Sequence, residues 1–240
     1  MARLSILIPI YDGVTQLDFT GPLQFLARVP DAEVMVASVG AKPIVADGLT
    51  FANLVDLNTV DHCDILCVPG GACHQAIEDG AFLEQIRRLG QDATYLTSVC
   101  NGSLILAAAG LLKGKRAACH WSWRDMLPLF GAIPDDSRVV RDGNVITGGG
   151  VTAGIDFALT LIAELWGNEL AQSIQLNLEY APAPPFNAGR PEIAPPGILA
   201  TVSAQRAPMM AANRKRIERI AHHLSERADH QVQFPSENTP

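Results

Sequence analysis

The segment Tyr95-Leu96-Thr97-Ser98-Val99-Cys100-Asn101-Gly102-Ser103-Leu104 carries the strongest chemical signal in the chain. A β-type apolar run ends at Val99 and a helix-type run begins near Ser103. Cys100 stands at the junction, flanked by the small residues Ser98 and Gly102. This spacing matches a nucleophile elbow with cysteine as the nucleophile and Ser98 in place of the first glycine. Small neighbours let the chain turn sharply and lift the sulfur over the sheet edge. The N-terminus of the following helix would face that sulfur. Unpaired N–H groups and the positive dipole end favour a thiolate there. Cys100 is therefore expected to be substantially ionised at neutral pH.

A nucleophile needs a group to manage its proton. Asp18, between Leu17 and Phe19 and just beyond the first strand, is the candidate. Burial and a neighbouring thiolate would both raise its pKa. A second reading makes Asp18 an ordinary helix-start aspartate. The turn Pro69-Gly70-Gly71 after the third strand can bring backbone N–H groups close to a ligand, so Gly71 and Asn101 are candidate oxyanion donors. His120 stands beside Trp121 and is a possible site residue, although a histidine next to an aromatic often has only a packing role. Gly148-Gly149-Gly150-Val151 opens a late helix without GxGxxG spacing, a weak phosphate signal.

These residues need a scaffold. Short apolar runs at 4–10, 33–39, 64–68 and 94–99 alternate with helical patterns at 17–29, 81–89, 103–112 and 153–166. Residues 139–147 read as a hairpin about Asp142-Gly143-Asn144. Such alternation means a mostly parallel sheet covered on both faces, with ligands beyond the carboxyl ends of the strands. The 240 residues, 48% hydrophobic and 18% charged, suffice for one full core. We expect an α/β domain over residues 1–200. Six prolines in residues 181–197 mark an ordered loop or linker. Residues 201–240 then form a helical extension whose polar tail frays from Arg227.

The formal net charge of −7 argues against nucleic acid or an anionic membrane as partner. The run 4–10 is too short to span a membrane, and no cleavable leader is visible. Five cysteines do not form an even disulfide framework. Cys63, Cys67 and Cys73 lack paired zinc-site spacings, so no metal is expected. A cytoplasmic chain with reduced thiols fits these features.

In combination, Asp18-Phe19-Thr20-Gly21-Pro22, Val68-Pro69-Gly70-Gly71, Ser98-Val99-Cys100-Asn101-Gly102, Ala118-Cys119-His120-Trp121 and 148–156 resemble the DJ-1/PfpI superfamily. The resemblance covers roughly residues 3–185. Aspartate at 18, where glutamate is commoner, and the stretch 175–186 resemble its isocyanide (isonitrile) hydratase subgroup. The resemblance implies a flavodoxin-like three-layer sandwich, a homodimer, a small-molecule substrate and no cofactor. It also implies Cys100 as nucleophile and Asp18 as its partner. Val151 and the N–H groups near Gly71 and Asn101 would contact substrate. One departure stands out: Asn101 replaces the threonine usual in that subgroup. A redox-sensing or glyoxalase-like protein using the same cysteine is the alternative. The superfamily also includes regulators with a helix-turn-helix module. The roughly 40 residues after the proline stretch are too few for one.

Overall fold

The computed structural model describes residues 3–233. The chain runs β1 (Leu4–Pro9), α1 (Gln16–Leu26), β2 (Ala32–Ser38), β3 (Ile44–Ala46), β4 (Leu49–Phe51), β5 (Val55–Asp56) and β6 (Ile65–Val68). Then follow α2 (Cys73–Glu78), α3 (Gly80–Asp92), β7 (Tyr95–Val99), α4 (Gly102–Ala108), β8 (Arg116–Ala118), β9 (Ile133–Asp135), β10 (Val139–Asp142) and β11 (Val145–Gly148). The helices α5 (Ala153–Trp166), α6 (Asn168–Asn177) and α7 (Pro196–Gln233) complete it.

Seven strands form the central sheet in the order β10-β11-β7-β6-β1-β2-β5. Every neighbouring pair is parallel except the β10–β11 hairpin. The central strands are largely apolar and buried because helices cover both faces; Ile65-Leu66-Cys67-Val68 has no exposed residue. Right-handed crossovers that run one way from β1 to β2, and the other way from β6 to β7, place their helices on opposite faces. Accordingly α1 packs on α5 and α5 on α6, while α2, α3 and α4 pack together. The result is a flavodoxin-like α/β sandwich: the sequence pattern anticipates the mostly parallel covered sheet, and the family resemblance implies the sandwich. The strand order reverses between β1 and β6, so the ends of β1, β6 and β7 border the switch point where such sheets bind ligands.

The expected strands and helices are present with ends shifted by a few residues. Asp79 caps α3 by accepting from the N–H groups of Ala81 and Phe82 at 3.0 and 3.1 Å. Phe82, Leu83, Ile86 and Leu89 form its buried side. The expected helix 103–112 stops at Ala108, where a turn carrying Gly110 in the left-handed region follows. β3 to β5 and β9 lie outside the sequence reading, because two- and three-residue strands give no measurable periodicity; the helices α2 and α6 lie outside it too.

The C-terminal segment differs more. One helix spans Pro196–Gln233, so the division at 200/201 falls inside it, and the backbone stays helical beyond Arg227. The rest of the polar tail lies outside the described residues. Ile217 of α7 is fully buried in the main hydrophobic cluster. Helix α7 packs on α2 and on the 3₁₀ segment Arg124–Phe130. It is also tied by ion pairs from Arg216 to Glu78 and from Arg214 to Asp125. Such half-exposed pairs contribute little, so buried apolar area anchors the helix. Ile217→Ala is expected to lower the unfolding free energy in urea titration by about 2–4 kcal/mol. A loss below about 0.5 kcal/mol, the range of ordinary surface changes, would show that α7 is not held by its apolar face.

Candidate active site

The turn after β7 has the geometry that the residue spacing demands. Cys100 has φ 60°, in the left-handed region that a non-glycine residue occupies only at a cost. Its N–H donates to Gly148 O at 3.1 Å, which locks the turn to the end of β11. Gly102 is required for the return into α4: a Cβ there would stand 2.1 Å from Val68 O. Cys100 retains 5% exposure, whereas Cys63, Cys67 and Cys73 are fully buried. Cys67 lies within β6 and Cys73 opens α2. All five cysteines are free thiols.

Asp18 occupies the first turn of α1 and is completely buried. Its Oδ2 accepts from the Gly70 N–H at 3.0 Å. Its Oδ1 is buried without a hydrogen-bond partner among the described residues. Thr15 N–H donates to Gly70 O at 2.9 Å and Ala72 N–H to Gly13 O at 2.8 Å, so the loops after β1 and β6 are stitched together. Gly70 must be glycine here, since a Cβ would lie 2.3 Å from Asn101 Oδ1 and 2.9 Å from Asp18 Oδ2.

Burial pushes the Asp18 carboxyl up to about 7; the Gly70 N–H and a hydrogen bond with Cys100 oppose that rise. Both readings of Asp18 thus contain part of the answer: it starts a helix, but desolvation outweighs the macrodipole. Burial, and next the Asp18 charge, push the Cys100 thiol well above its ordinary range, with Cys119 adding to the rise. The Asn101 N–H acts in the opposite direction. The expectation of a largely ionised Cys100 is therefore overturned. Helix α4 has only seven residues, and its N-terminus competes with burial and an adjacent carboxylate. Burial favours the neutral form of both groups.

The remaining candidates separate. Asn101 is buried, and its side chain grips the Gly71 peptide at both ends. Oδ1 accepts from Gly71 N–H at 2.7 Å, and Nδ2 donates to Gly71 O at 3.0 Å. The Gly71 N–H expected to face an oxyanion is thus already engaged. The Asn101 backbone N–H does face the sulfur. His120 does not pair with Cys100: its Nδ1 faces Ser122 Oγ at 3.0 Å, and Arg206 of α7 donates to that same oxygen at 3.1 Å. Burial, followed by the Arg206 charge, drives His120 down to about 4, so it is neutral at pH 7. His120 and Val151 line a pocket of about 220 Å³ together with Cys119, Gly149 and Gly150.

Two neighbours of the pair are not among the candidate site residues of the sequence reading. Buried Tyr11 donates to Pro69 O at 3.3 Å and feels the charges of Cys73, Asp18 and Cys100. Its place two residues after β1 is the available signal. Cys119, pushed up to about 12 chiefly by burial, lies near enough to raise the Cys100 thiol, and Ser103 Oγ donates to Cys100 O at 3.4 Å. Nothing in the sequence marks that proximity.

Sheet order and site define a flavodoxin-like α/β protein with a thiol and a carboxyl at its switch point. The family model described as the DJ-1/PfpI family matches residues 4–164, and the chain belongs to that family. It is 47% identical over 226 residues to the isonitrile hydratase of Pseudomonas putida, covering 92% of this chain and 98% of that protein. A crystal structure of a ThiJ/PfpI family protein from Pseudomonas syringae superposes with TM-score 0.86 at 40% identity, covering 92% and 91% of the two chains. Drosophila melanogaster DJ-1beta superposes with TM-score 0.68 at 25% identity, covering 76% of this chain and all of that one.

The Asp18 carboxyl makes stability depend on pH with a definite sign. An unfolded chain's aspartate ionises near pH 4, and the native one near 7. Between those values the native state binds more protons, so stability falls as pH rises, then levels off above about 7. Relative to Asp18→Asn, the wild type should lose on the order of 4 kcal/mol between about pH 4 and pH 8. Urea titrations across that range measure it. Parallel pH profiles for the two proteins would contradict the raised carboxyl.

Proposed function

We propose that the protein hydrates an isocyanide to an N-substituted formamide, with Cys100 as nucleophile at its elbow and Asp18 as proton carrier. The observation that supports this most is the buried thiol–carboxyl pair, with Asp18 Oδ1 lacking a partner. Similarity to an isonitrile hydratase along nearly the whole of both chains adds to it.

The chemistry uses a protonated pair rather than a standing thiolate. Asp18 takes the Cys100 S–H proton as sulfur attacks the isocyanide carbon, then hands that proton to the same carbon. The product is a thioimidate, Cys100 Sγ–CH=N–R, with no net change in protons. Asp18 next accepts a proton from water as its oxygen adds to the carbon, and delivers it to nitrogen. Collapse of the tetrahedral species breaks the C–S bond, forms the formyl C=O and returns the hydroxyl proton through Asp18 to sulfur. The Asn101 N–H stabilises charge on sulfur in each step. Asn101, by holding the Gly71 peptide at both ends, rigidifies the wall that a threonine would leave looser.

In this reading the enzyme is a cofactor-independent, cytoplasmic homodimer acting on a small molecule. Chemistries that pair cysteine with histidine fit less well, because His120 faces Ser122. A low-pKa redox sensor fits less well too, because Cys100 is pushed up.

Formamide formation from cyclohexyl isocyanide tests the proposal, with methylglyoxal assayed alongside. Cys100→Ala should abolish turnover and Asp18→Asn should lower kcat by about 10²–10⁴-fold. Hydration by Cys100→Ala at the wild-type rate would rule out the covalent route. Turnover of methylglyoxal alone would favour the glyoxalase-like alternative.

A further inference from the structure

The loop after β6 carries three consecutive peptide units past Asp18, and each is held at both ends. The Gly71–Ala72 unit accepts at its oxygen from Asn101 Nδ2 at 3.0 Å and donates its N–H to Gly13 O at 2.8 Å. The Gly70–Gly71 unit accepts from the Thr15 N–H at 2.9 Å and donates to Asn101 Oδ1 at 2.7 Å. The Pro69–Gly70 unit is the one that faces the carboxyl. Its N–H donates to Asp18 Oδ2 at 3.0 Å, and its oxygen accepts from the Tyr11 hydroxyl at 3.3 Å. A peptide unit is planar, so its C=O and N–H turn together. Whatever holds the Pro69 oxygen therefore also aims the Gly70 N–H.

Tyr11 is built to hold it. The residue is 7% exposed, and its ring meets Phe82 edge to face with 5.2 Å between centroids. A buried tyrosine keeps a hydrogen-bond partner for its hydroxyl, and here that partner is Pro69 O. At 3.3 Å the contact is longer than an ordinary hydroxyl bond, so it contributes orientation more than strength. Burial, and next the charges of Cys73, Asp18 and Cys100, push the phenol well above its ordinary range. It stays a neutral donor throughout the pH range in which Asp18 titrates.

We propose that Tyr11 is a positioning residue for the Asp18 proton: its hydroxyl fixes the plane of the Pro69–Gly70 peptide and so keeps the Gly70 N–H on the carboxylate. The proposal adds a residue to the hydratase reading and rests on that reading for its consequence in turnover. The Gly70 N–H favours the ionised carboxyl and opposes the rise that burial imposes. Loss of the hydroxyl frees the peptide plane, weakens that bond and lets Asp18 rise further. A neutral phenol carries no charge, so its loss brings no opposing Coulombic effect. The other ionisable groups that face Asp18 are the Cys100 and Cys67 thiols and the Asp47 carboxyl, which accepts from the Gln16 N–H at the start of α1. Tyr11→Phe leaves all three in place and keeps the ring that packs on Phe82.

Carboxyl-carbon NMR of aspartate-labelled protein, with Asp18→Asn to assign the resonance, reads the titration midpoint. Tyr11→Phe should raise it above the wild-type value of about 7 by about half a pH unit or more, the scale of one neutral hydrogen bond. In urea titrations the substitution should cost more stability at about pH 9 than at about pH 5, because a further rise in the native carboxyl's proton affinity is felt only where the carboxylate forms. That difference should vanish in the Asp18→Asn background. A midpoint that stays or falls in a variant whose thermal melt shows it folded would overturn the positioning role. A stability cost independent of pH would overturn it as well. In turnover of cyclohexyl isocyanide, the limb of the kcat profile set by Asp18 ionisation should move upward with the midpoint, while KM stays unchanged. If the wild type does not hydrate the isocyanide, the hydratase reading fails, and the NMR midpoint still decides the role of Tyr11.

Discussion

A carboxyl and a thiol cannot both be ionised in a water-poor cavity, and this constraint organises the protein's site. Asp18 is completely buried and Cys100 nearly so. Desolvation raises the proton affinity of both groups; the Asp18 charge raises that of Cys100 further, while the hydrogen bond with Cys100 acts on Asp18 in the opposite direction. With both raised, the neutral forms are favoured, and in the proposed reaction transfer of the thiol proton is the step an isocyanide carbon would require. A standing thiolate would attack but would still need an acid. In the proposed reaction one proton would serve both steps, moving between sulfur, carboxylate and carbon.

The fold exists around that pair in a concrete sense. Asp18 arrives on α1 after β1, Gly70 on the loop after β6, and Cys100 on the turn after β7, so three strand ends at the switch point supply the components. Backbone bonds between residues 13–15 and 70–72 fix the first two loops against each other. Asn101 then ties the third to the second through the Gly71 peptide. The left-handed Cys100 and the buried carboxyl both cost stability, and the continuous apolar strands and helices beneath them offset that cost. Helix α7 extends the scaffold further: through Arg206 and Ser122 it reaches the His120 ring at the edge of the pocket.

What was readable in the sequence followed from periodicity and from position relative to strand ends. Strands β1, β6 and β7 are short, largely apolar runs, and Cys100 and Asp18 each follow one, so the architecture and the two chemical groups were both legible. Quantities set by tertiary burial were not. The ionisation of Cys100 depends on how dry the cavity is, which local spacing does not encode; the short α4 loses to desolvation. The direction of the Asn101 side chain depends on a loop thirty residues away. The unity of α7 across residue 200 was obscured by the prolines before it, and the proximity of Tyr11 and Cys119 to the pair arises only when the sheet assembles.

The proton held by Asp18 can be observed directly by infrared spectroscopy of the carboxyl C=O band, using Asp18→Asn to assign it. A single protonated carboxyl that titrates with a midpoint near pH 7, and disappears in the variant, is the predicted result. A band that is already lost by about pH 5, the ordinary carboxylate range, would contradict the raised carboxyl on which the site is built.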